Sequence, residues 1–454
     1  MNYTELRQQY PNFIYHDFHI EENDSEFRIT YDFEIAGLEL FNPTYLFKKR
    51  GNQVFSNKKI VRELVFSLGL VECISYWKIT CSPHLIIECG KLNDNQIAWW
   101  KKLYFHGLGE FFYINQIQPN FDDFITLNCV GKEIEGDILV QEYVGQLIPV
   151  GGGKDSFVSL EILKPLFEEN DAFVINKVMS AIHASIAAGY EEKLVYVSRS
   201  LDARMLELNK KGYLNGHTPF SAMVAFASTL AAVLNQKKYI CLSNEASANE
   251  STVLNDTVNH QYSKSYEFEK DFNEYSQQYL VPEIEYFSLL RPLSELQIAK
   301  IFSKSVQYHS VFKSCNVGSK QEIWCCHCAK CLFVYLLMAA YLEDEDCVSI
   351  FGQDMLNNEE LYPILMELCG LSENKPFECV GTREEVVAAI SLGIEKRVKQ
   401  NKPLGILYQK YLNQVGTLEL ISLDEIKGEW NDEHQIPNHL LNLVKEKVEE
   451  AFYD

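Results

Sequence analysis

Apolar positions follow different rhythms in successive parts of this chain. Up to about residue 140 the pattern is mixed. Phe27-Arg28-Ile29-Thr30-Tyr31-Asp32-Phe33 alternates with the period of a half-buried strand. Residues 77–80 and 84–88 read as further strands, and 61–68 and 95–103 as helices. From residue 147 to about 293, strand, turn and helix alternate, with strands predicted at 146–150, 172–178, 194–198, 239–243 and 285–289. The Ala-rich stretch 219–234 is the clearest helix between them. Such alternation predicts a parallel sheet covered by helices on both faces. Ligands in such sheets bind at the carboxyl ends of strands, where turns at 151–156, 198–200 and 243–245 are expected. Beyond about Cys331 helical spacing predominates, at 332–342, 359–368, 384–392 and 437–452, with Pro437 suited to a first helical position. The expected domains are 1–140, 141–335 and 336–454.

One strand-to-helix junction carries chemistry. Apolar Leu147-Ile148-Pro149-Val150 runs into Gly151-Gly152-Gly153, and Lys154-Asp155-Ser156 opens a helix-like stretch. Glycines let backbone N–H groups turn toward an anion, and a helix N-terminus adds partial positive charge. The spacing is not that of a P-loop, which needs four residues between its glycines and then Lys-Ser/Thr. Nor is it a GxGxxG dinucleotide turn. It resembles the PP-loop of ATP pyrophosphatases, which split ATP between its α- and β-phosphates, except that Gly151 stands where that motif opens with Ser. A ligand-free glycine turn is the plain alternative. Asp155 is placed to orient Mg²⁺ or to cap the helix, Ser156 to donate to a phosphate oxygen, and Lys154 to remain solvated.

Composition narrows the partners. The chain has 454 residues, room for two or three domains, and is 47% hydrophobic. Its formal net charge of −22 argues against binding nucleic-acid backbone over a wide surface. No apolar run reaches bilayer-spanning length, and residues 1–7 lack a signal pattern, so a cytoplasmic protein without a membrane partner is expected. The 13 cysteines then read as thiols or metal ligands rather than disulfides.

Cys315, Cys325, Cys328 and Cys331 form the second strong signal, because four soft thiolates suit tetrahedral Zn²⁺. Cys326 and His327 are spare donors that blur the ligand set, and an iron–sulfur cluster or plain buried thiols are the alternatives. The polar run 243–250, with Asn244 and Asn249, suits a nucleotide-binding loop or a cluster of helix caps. His260 lies in another polar stretch, 259–265. Thr382 with Glu385 is a capping box, and Cys379 before it is either a reactive or a buried thiol. Aromatic segments around Tyr76-Trp77-Lys78, Cys81-Ser82-Pro83 and 107–113 are core or cleft lining.

Together these segments resemble the ATP-dependent UDP-N-acetylmuramoyl-L-alanyl-L-glutamate epimerase family. The resemblance is carried by Ile74-Ser75-Tyr76-Trp77-Lys78 with Cys81-Ser82-Pro83, by 107–113, 151–156, 243–250 and 258–265, and by Ser288-Leu289-Leu290-Arg291-Pro292-Leu293, 324–331 and 375–382. It therefore extends over the whole chain. It implies an α/β fold: a parallel-sheet PP-loop core (adenine nucleotide alpha hydrolase-like), an N-terminal α+β domain that binds substrate, and a helical C-terminal region. It also implies ATP-dependent conversion of the terminal L-Glu of a nucleotide-linked dipeptide to D-Glu in peptidoglycan precursor synthesis. Adenylating the α-carboxylate removes its charge and makes the carbonyl an electron sink, so a base can take the α-proton and an acid can return it from the other face. AMP and pyrophosphate leave; ATP and Mg²⁺ are the cofactors.

Under this resemblance Gly151, Gly152, Gly153, Lys154, Asp155, Ser156, Asn244 and Asn249 contact the nucleotide. Cys81, Cys379, His260, Lys78 and Lys264 are eligible bases by type, and the thiols of cofactor-independent racemases favour Cys81 or Cys379. Tyr76, Lys78, Arg199 and Arg291 are the substrate contacts, since a guanidinium fork matches carboxylate and phosphate. Another PP-loop adenylating enzyme, such as an amide-forming ligase or a nucleobase-modifying synthase, and a non-catalytic nucleotide-binding protein are the competing readings.

Overall fold

The computed structural model describes residues 2–51, 53–249, 262–315, 317–318, 321–372, 376, 378, 380–418 and 421–453. Its strands are, in chain order, β1 (Asn12–Glu22), β2 (Glu26–Ile35), β3 (Glu39–Phe41), β4 (Thr44–Lys48), β5 (His84–Ile87), β6 (Thr126–Cys129), β7 (Gln146–Pro149), β8 (Asp171–Ile175), β9 (Leu194–Ser200), β10 (Tyr239–Leu242) and β11 (Glu285–Ser288). The chain divides into two compact units, each assembled from discontinuous segments. One comprises Met1–Leu147, Val195–Ile240 and Val258–Tyr286; the other comprises Ile148–Leu194, Cys241–Thr257 and Phe287–Asp454.

In the first unit the strand order is β9-β4-β2-β1-β5-β6, with β3 beside β2. The pairing is mixed: β1–β2, β2–β4 and β4–β9 are antiparallel, β1–β5 and β5–β6 parallel. The alternation expected in β2 is present, and Phe27, Ile29, Tyr31, Phe33 and Ile35 all point into the core. Helix Lys59–Trp77 covers them, and from Leu64 onward every one of its residues is buried. Close approach requires glycine: a Cβ on Gly69 would stand 2.1 Å from the Tyr15 hydroxyl oxygen. The Tyr31 hydroxyl donates to the Val65 carbonyl at 2.9 Å, binding helix to sheet.

Two local expectations fail here. Trp77 closes this helix instead of opening a strand, because apolar residues on all sides of the preceding segment keep it helical up to that point. The chain then reverses at Cys81, which takes the left-handed conformation (φ 50°) ahead of β5. Residues 198–200 are strand and not turn, since β9 pairs with β4 in the register Tyr45↔Arg199 and Thr44↔Ser200.

The remaining strands run in the order β11-β10-β7-β8, and β7 pairs with β10 in parallel. All five residues of β8 are buried, as a strand covered on both faces requires. The second unit is rich in helix, including Lys154–Ile162, Glu295–Ser303, Ala329–Tyr341, Arg383–Lys399 and Asn438–Phe452. Ala329–Tyr341 is buried from Ala329 to Ala340 and packs against Arg383–Lys399. Pro437 caps the last helix from outside rather than occupying its first turn. The architecture is thus an α/β core followed by a mainly helical C-terminal part. Among the described residues no helix is long and apolar enough to cross a membrane.

Candidate active site

The glycine turn is built from the strand outward. The Val150 N–H donates to the Phe173 carbonyl at 2.9 Å, holding the end of β7 in place. Gly152 adopts φ +87°, and a Cβ there would stand 2.6 Å from the backbone carbon of Ser180, so conformation and space both demand glycine. Gly153 caps helix Lys154–Ile162 without any side-chain cap, leaving its first N–H groups to other acceptors. The Gly151 N–H donates to Ser156 Oγ at 2.9 Å, and the Lys313 N–H donates to the Gly152 carbonyl at 2.9 Å.

Lys154 is not solvated. Its side chain is 1% exposed and its ammonium pairs with Asp155 and with Glu295, whose own side chain is 1% exposed. Burial opposes the ammonium's charge, but Asp155 and Glu295 outweigh it and hold Lys154 protonated. The Glu295 carboxyl is pushed up by burial; Lys154 acts against this, and Asp155 and Glu245 reinforce it. Glu385 is pushed up to about 8, by burial first and then by Glu295. Its Oε1 accepts the Glu295 N–H at 2.8 Å and its Oε2 accepts the Thr382 N–H at 2.7 Å. The Thr382–Glu385 capping box predicted from the sequence is therefore present. The buried Lys154 ammonium thus sits between the Asp155 and Glu295 carboxylates beside the glycine turn, with the buried Lys330 also acting on Glu295.

The loop after β10 is tied to the same place. Ser243 Oγ lies 2.8 Å from Ser159 Oγ on the helix that follows the glycines. The buried Arg291 donates from Nη1 to the Glu245 carbonyl at 2.8 Å and from Nη2 to Ser288 Oγ at 3.2 Å. Asn244 Nδ2 donates to the same Ser288 Oγ at 3.0 Å. Arg291 and Asn244 thus come together at the end of β11. Asn249 closes the short helix Ala246–Asn249, with its side chain outside the described residues; His260 and Cys379 also lie outside them.

The Sγ atoms of Cys315, Cys325, Cys328 and Cys331 lie within 4.8 Å of one another, a group able to hold a metal ion. Cys315 Sγ accepts N–H groups from Gly318 (3.0 Å) and Cys325 (3.4 Å), and Cys325 Sγ accepts one from His327 (3.5 Å). Such donors stabilise thiolate. Cys326 is excluded: at φ 57° it turns its Sγ to the Phe351 carbonyl, 3.3 Å away.

The other candidates belong to the first unit. Tyr76 is buried against Phe33 and Phe41, and its hydroxyl accepts the Asp202 N–H at 3.0 Å. Arg199 grips Glu72 with two bonds, Nε to Oε2 and Nη2 to Oε1, both 2.8 Å. Lys78 Nζ donates to the Gly216 carbonyl and to Thr218 Oγ1, and desolvation brings its pKa down to about 8. Cys81 is fully buried, and that burial pushes its thiol well above the ordinary range.

Sequence reasoning missed Glu295 and Glu385 as partners of the turn. Glu295 reads locally as the first-turn acid of the Ser294–Gln297 capping box, and nothing near it announces Lys154. Glu385 reads only as a capping glutamate.

A glycine turn at the carboxyl end of a strand, opening a helix with no side-chain cap beside a buried lysine–carboxylate cluster, is an arrangement with which an α/β protein can hold an anion. Residues 4–289 match the MurL N-terminal domain model and residues 310–416 the MurL C-terminal domain model. The chain belongs to the MurL family, as the sequence resemblance implied. It is 32% identical over 404 residues to the UDP-N-acetyl-alpha-D-muramoyl-L-alanyl-L-glutamate epimerase of Xanthomonas oryzae pv. oryzae, covering 86% of this chain and 87% of the relative. The proteins of the same description from a Micromonospora species and Salinispora tropica are each 34% identical, over 74% and 72% of this chain and 76% and 72% of theirs. No solved structure matches.

Proposed function

We propose that this chain is the epimerase its relatives are named for, converting the terminal L-glutamate of UDP-MurNAc-L-Ala-L-Glu to D-glutamate in peptidoglycan precursor synthesis. The observation that carries this reading is family membership over most of the chain: 404 aligned residues, with both family domains matched.

The finer chemistry rests on the site. ATP is the cosubstrate, and the uncapped start of helix Lys154–Ile162 is suited to its phosphates. Asp155, whose side chain is 24% exposed, is the residue that would hold Mg²⁺. Lys154 fixes Asp155 and carries positive charge beside the phosphate turn. The glutamyl α-carboxylate attacks the α-phosphorus of ATP; pyrophosphate leaves and a mixed anhydride with AMP forms. The α-proton, acidified by the neutral acyl group, is removed and returned on the opposite face, and hydrolysis releases AMP. Zn²⁺ fits the four-thiolate group, where it would serve as a structural brace. This reading places the protein in the cytoplasm, with a nucleotide-linked peptide as substrate and neither membrane nor nucleic acid as partner.

The test is incubation with ATP, Mg²⁺ and UDP-MurNAc-L-Ala-L-Glu, following AMP and the chirality of the terminal glutamate after acid hydrolysis of the product. Absence of substrate-dependent AMP overturns the proposal.

A further inference from the structure

Two adjoining pockets, of ≈ 520 and ≈ 500 Å³, flank the first turns of helix Arg383–Lys399 and share Glu384, Ala388 and Ile421 in their walls. Buried polar groups without partners are concentrated there. Ser247 and Glu429 line the first pocket, Arg383 lines the second, and none of Ser247 Oγ, Glu429 Oε2, Arg383 Nε or Arg383 Nη2 has a hydrogen-bond partner among the described residues. Ser247 is only 5% exposed. More than nine in ten buried polar groups are paired in folded proteins, and an unpaired charged donor is costly. A cluster of such groups along one groove points to a ligand that pairs them.

The donor set specifies its chemistry. The Nε–Nη2 edge of a guanidinium is a two-donor fork for an oxyanion. Arg383 also opens a 17-residue helix, whose N-terminal dipole favours negative charge. Glu429 accepts from a hydroxyl or N–H, and Ser247 Oγ can do either. Trp430 supplies an aromatic wall to the first pocket. Glu384 and Glu425 also line the second pocket, which disfavours a bare polyphosphate. The wall of the groove is joined to the glycine turn by contacts: Glu385 in it accepts the Glu295 N–H, and the buried Glu295 pairs with Lys154.

We propose that this groove binds the nucleotide-sugar part of the substrate, with a phosphate oxygen on Arg383 and sugar hydroxyls on Glu429 and Ser247, leaving the peptide end toward Lys154. The identity of that substrate rests on the function proposed above; the groove's chemistry does not.

Isothermal titration of the full chain without ATP tests it, using UDP-MurNAc-L-Ala-L-Glu, UDP-N-acetylglucosamine and inorganic phosphate as separate titrants. Both UDP-linked sugars are expected to bind, and phosphate far more weakly. Arg383→Gln and Glu429→Gln should each weaken the sugar nucleotides roughly tenfold while ATP affinity holds, with Arg383→Lys intermediate. Should Arg383→Gln fail to fold, Glu429→Gln and Ser247→Ala decide. Unchanged affinity in folded variants overturns the proposal, as does phosphate binding as tightly as the sugar nucleotides. Arg383-dependent binding without AMP release would sink the epimerase reading and leave the groove standing. AMP release with a KM indifferent to Arg383 would do the reverse.

Discussion

Lys154 and Glu295, 141 residues apart in sequence, form an ion pair in which each side chain is 1% exposed. Removing Lys154 strands Glu295 in the interior, whereas removing Glu295 still leaves Lys154 its pair with Asp155, and replacing both with apolar groups strands neither. Lys154→Met alone should therefore cost about 3–5 kcal/mol. The double variant Lys154→Met/Glu295→Leu should cost clearly less. Urea unfolding followed by circular dichroism measures both, and a double variant no more stable than the single would contradict the pairing.

The carboxyls around that pair give stability a definite pH dependence. Burial, with Glu295 beside it, pushes the Glu385 carboxyl up to about 8, well above the ~4.3 of an unperturbed glutamate, and Glu295 is shifted in the same direction. A raised folded pKa means the native state holds more protons than the unfolded chain between those limits. Their contribution is complete below about pH 4 and is lost as pH rises through about 8. Urea midpoints taken from pH 5 to 8.5 should fall, and Glu385→Gln should flatten the decline. A decline just as steep in Glu385→Gln would refute the assignment.

Gly152→Ala places a methyl carbon 2.6 Å from the Ser180 backbone at φ +87°. Helix Lys154–Ile162 should keep its fold, but the turn must shift. ATP affinity is expected to fall at least tenfold, on the order of the 1–3 kcal/mol that such strain carries. Equilibrium dialysis with labelled ATP measures it, and parent-like affinity would show that the turn does not contact phosphate.

Elemental analysis of protein purified without chelators should find a single zinc per chain. Cys328→Ser and Cys331→Ser should lose it, whereas Cys326→Ser should retain it, because Cys326 faces the Phe351 carbonyl. Equal zinc loss from all three would mean that the ligand set is misassigned.

Cys81→Ser should preserve exchange of the glutamyl α-proton with solvent deuterium. A fully buried thiol whose pKa is raised by desolvation supplies almost no thiolate at neutral pH. Loss of exchange in a variant that still releases AMP would restore Cys81 as the base.

What the sequence revealed was what is local. The turn at Gly151–Ser156 is legible because strand, glycines and helix follow one another within a few residues. The Thr382–Glu385 box is a spacing of three. The Cys array shows its ligands by interval, yet the exclusion of Cys326 depends on one left-handed residue that no interval encodes. Trp77 was misread because a β-favouring side chain ends a helix governed by its packing. The pairs Lys154–Glu295 and Arg199–Glu72 were invisible because long-range pairing leaves no local trace; each glutamate alone looks like ordinary helix surface.

The interleaving of the two units bears on how this chain is made. The first unit needs residues up to Tyr286 and the second needs both Ile148–Leu194 and the stretch from Phe287 onward. During synthesis, strand β7 and the glycine turn leave the ribosome long before the Glu295 that neutralises Lys154. The nascent glycine turn must wait, its lysine hydrated, for a carboxylate still to be translated. A fragment ending at the first family domain, near residue 289, would stop just short of it.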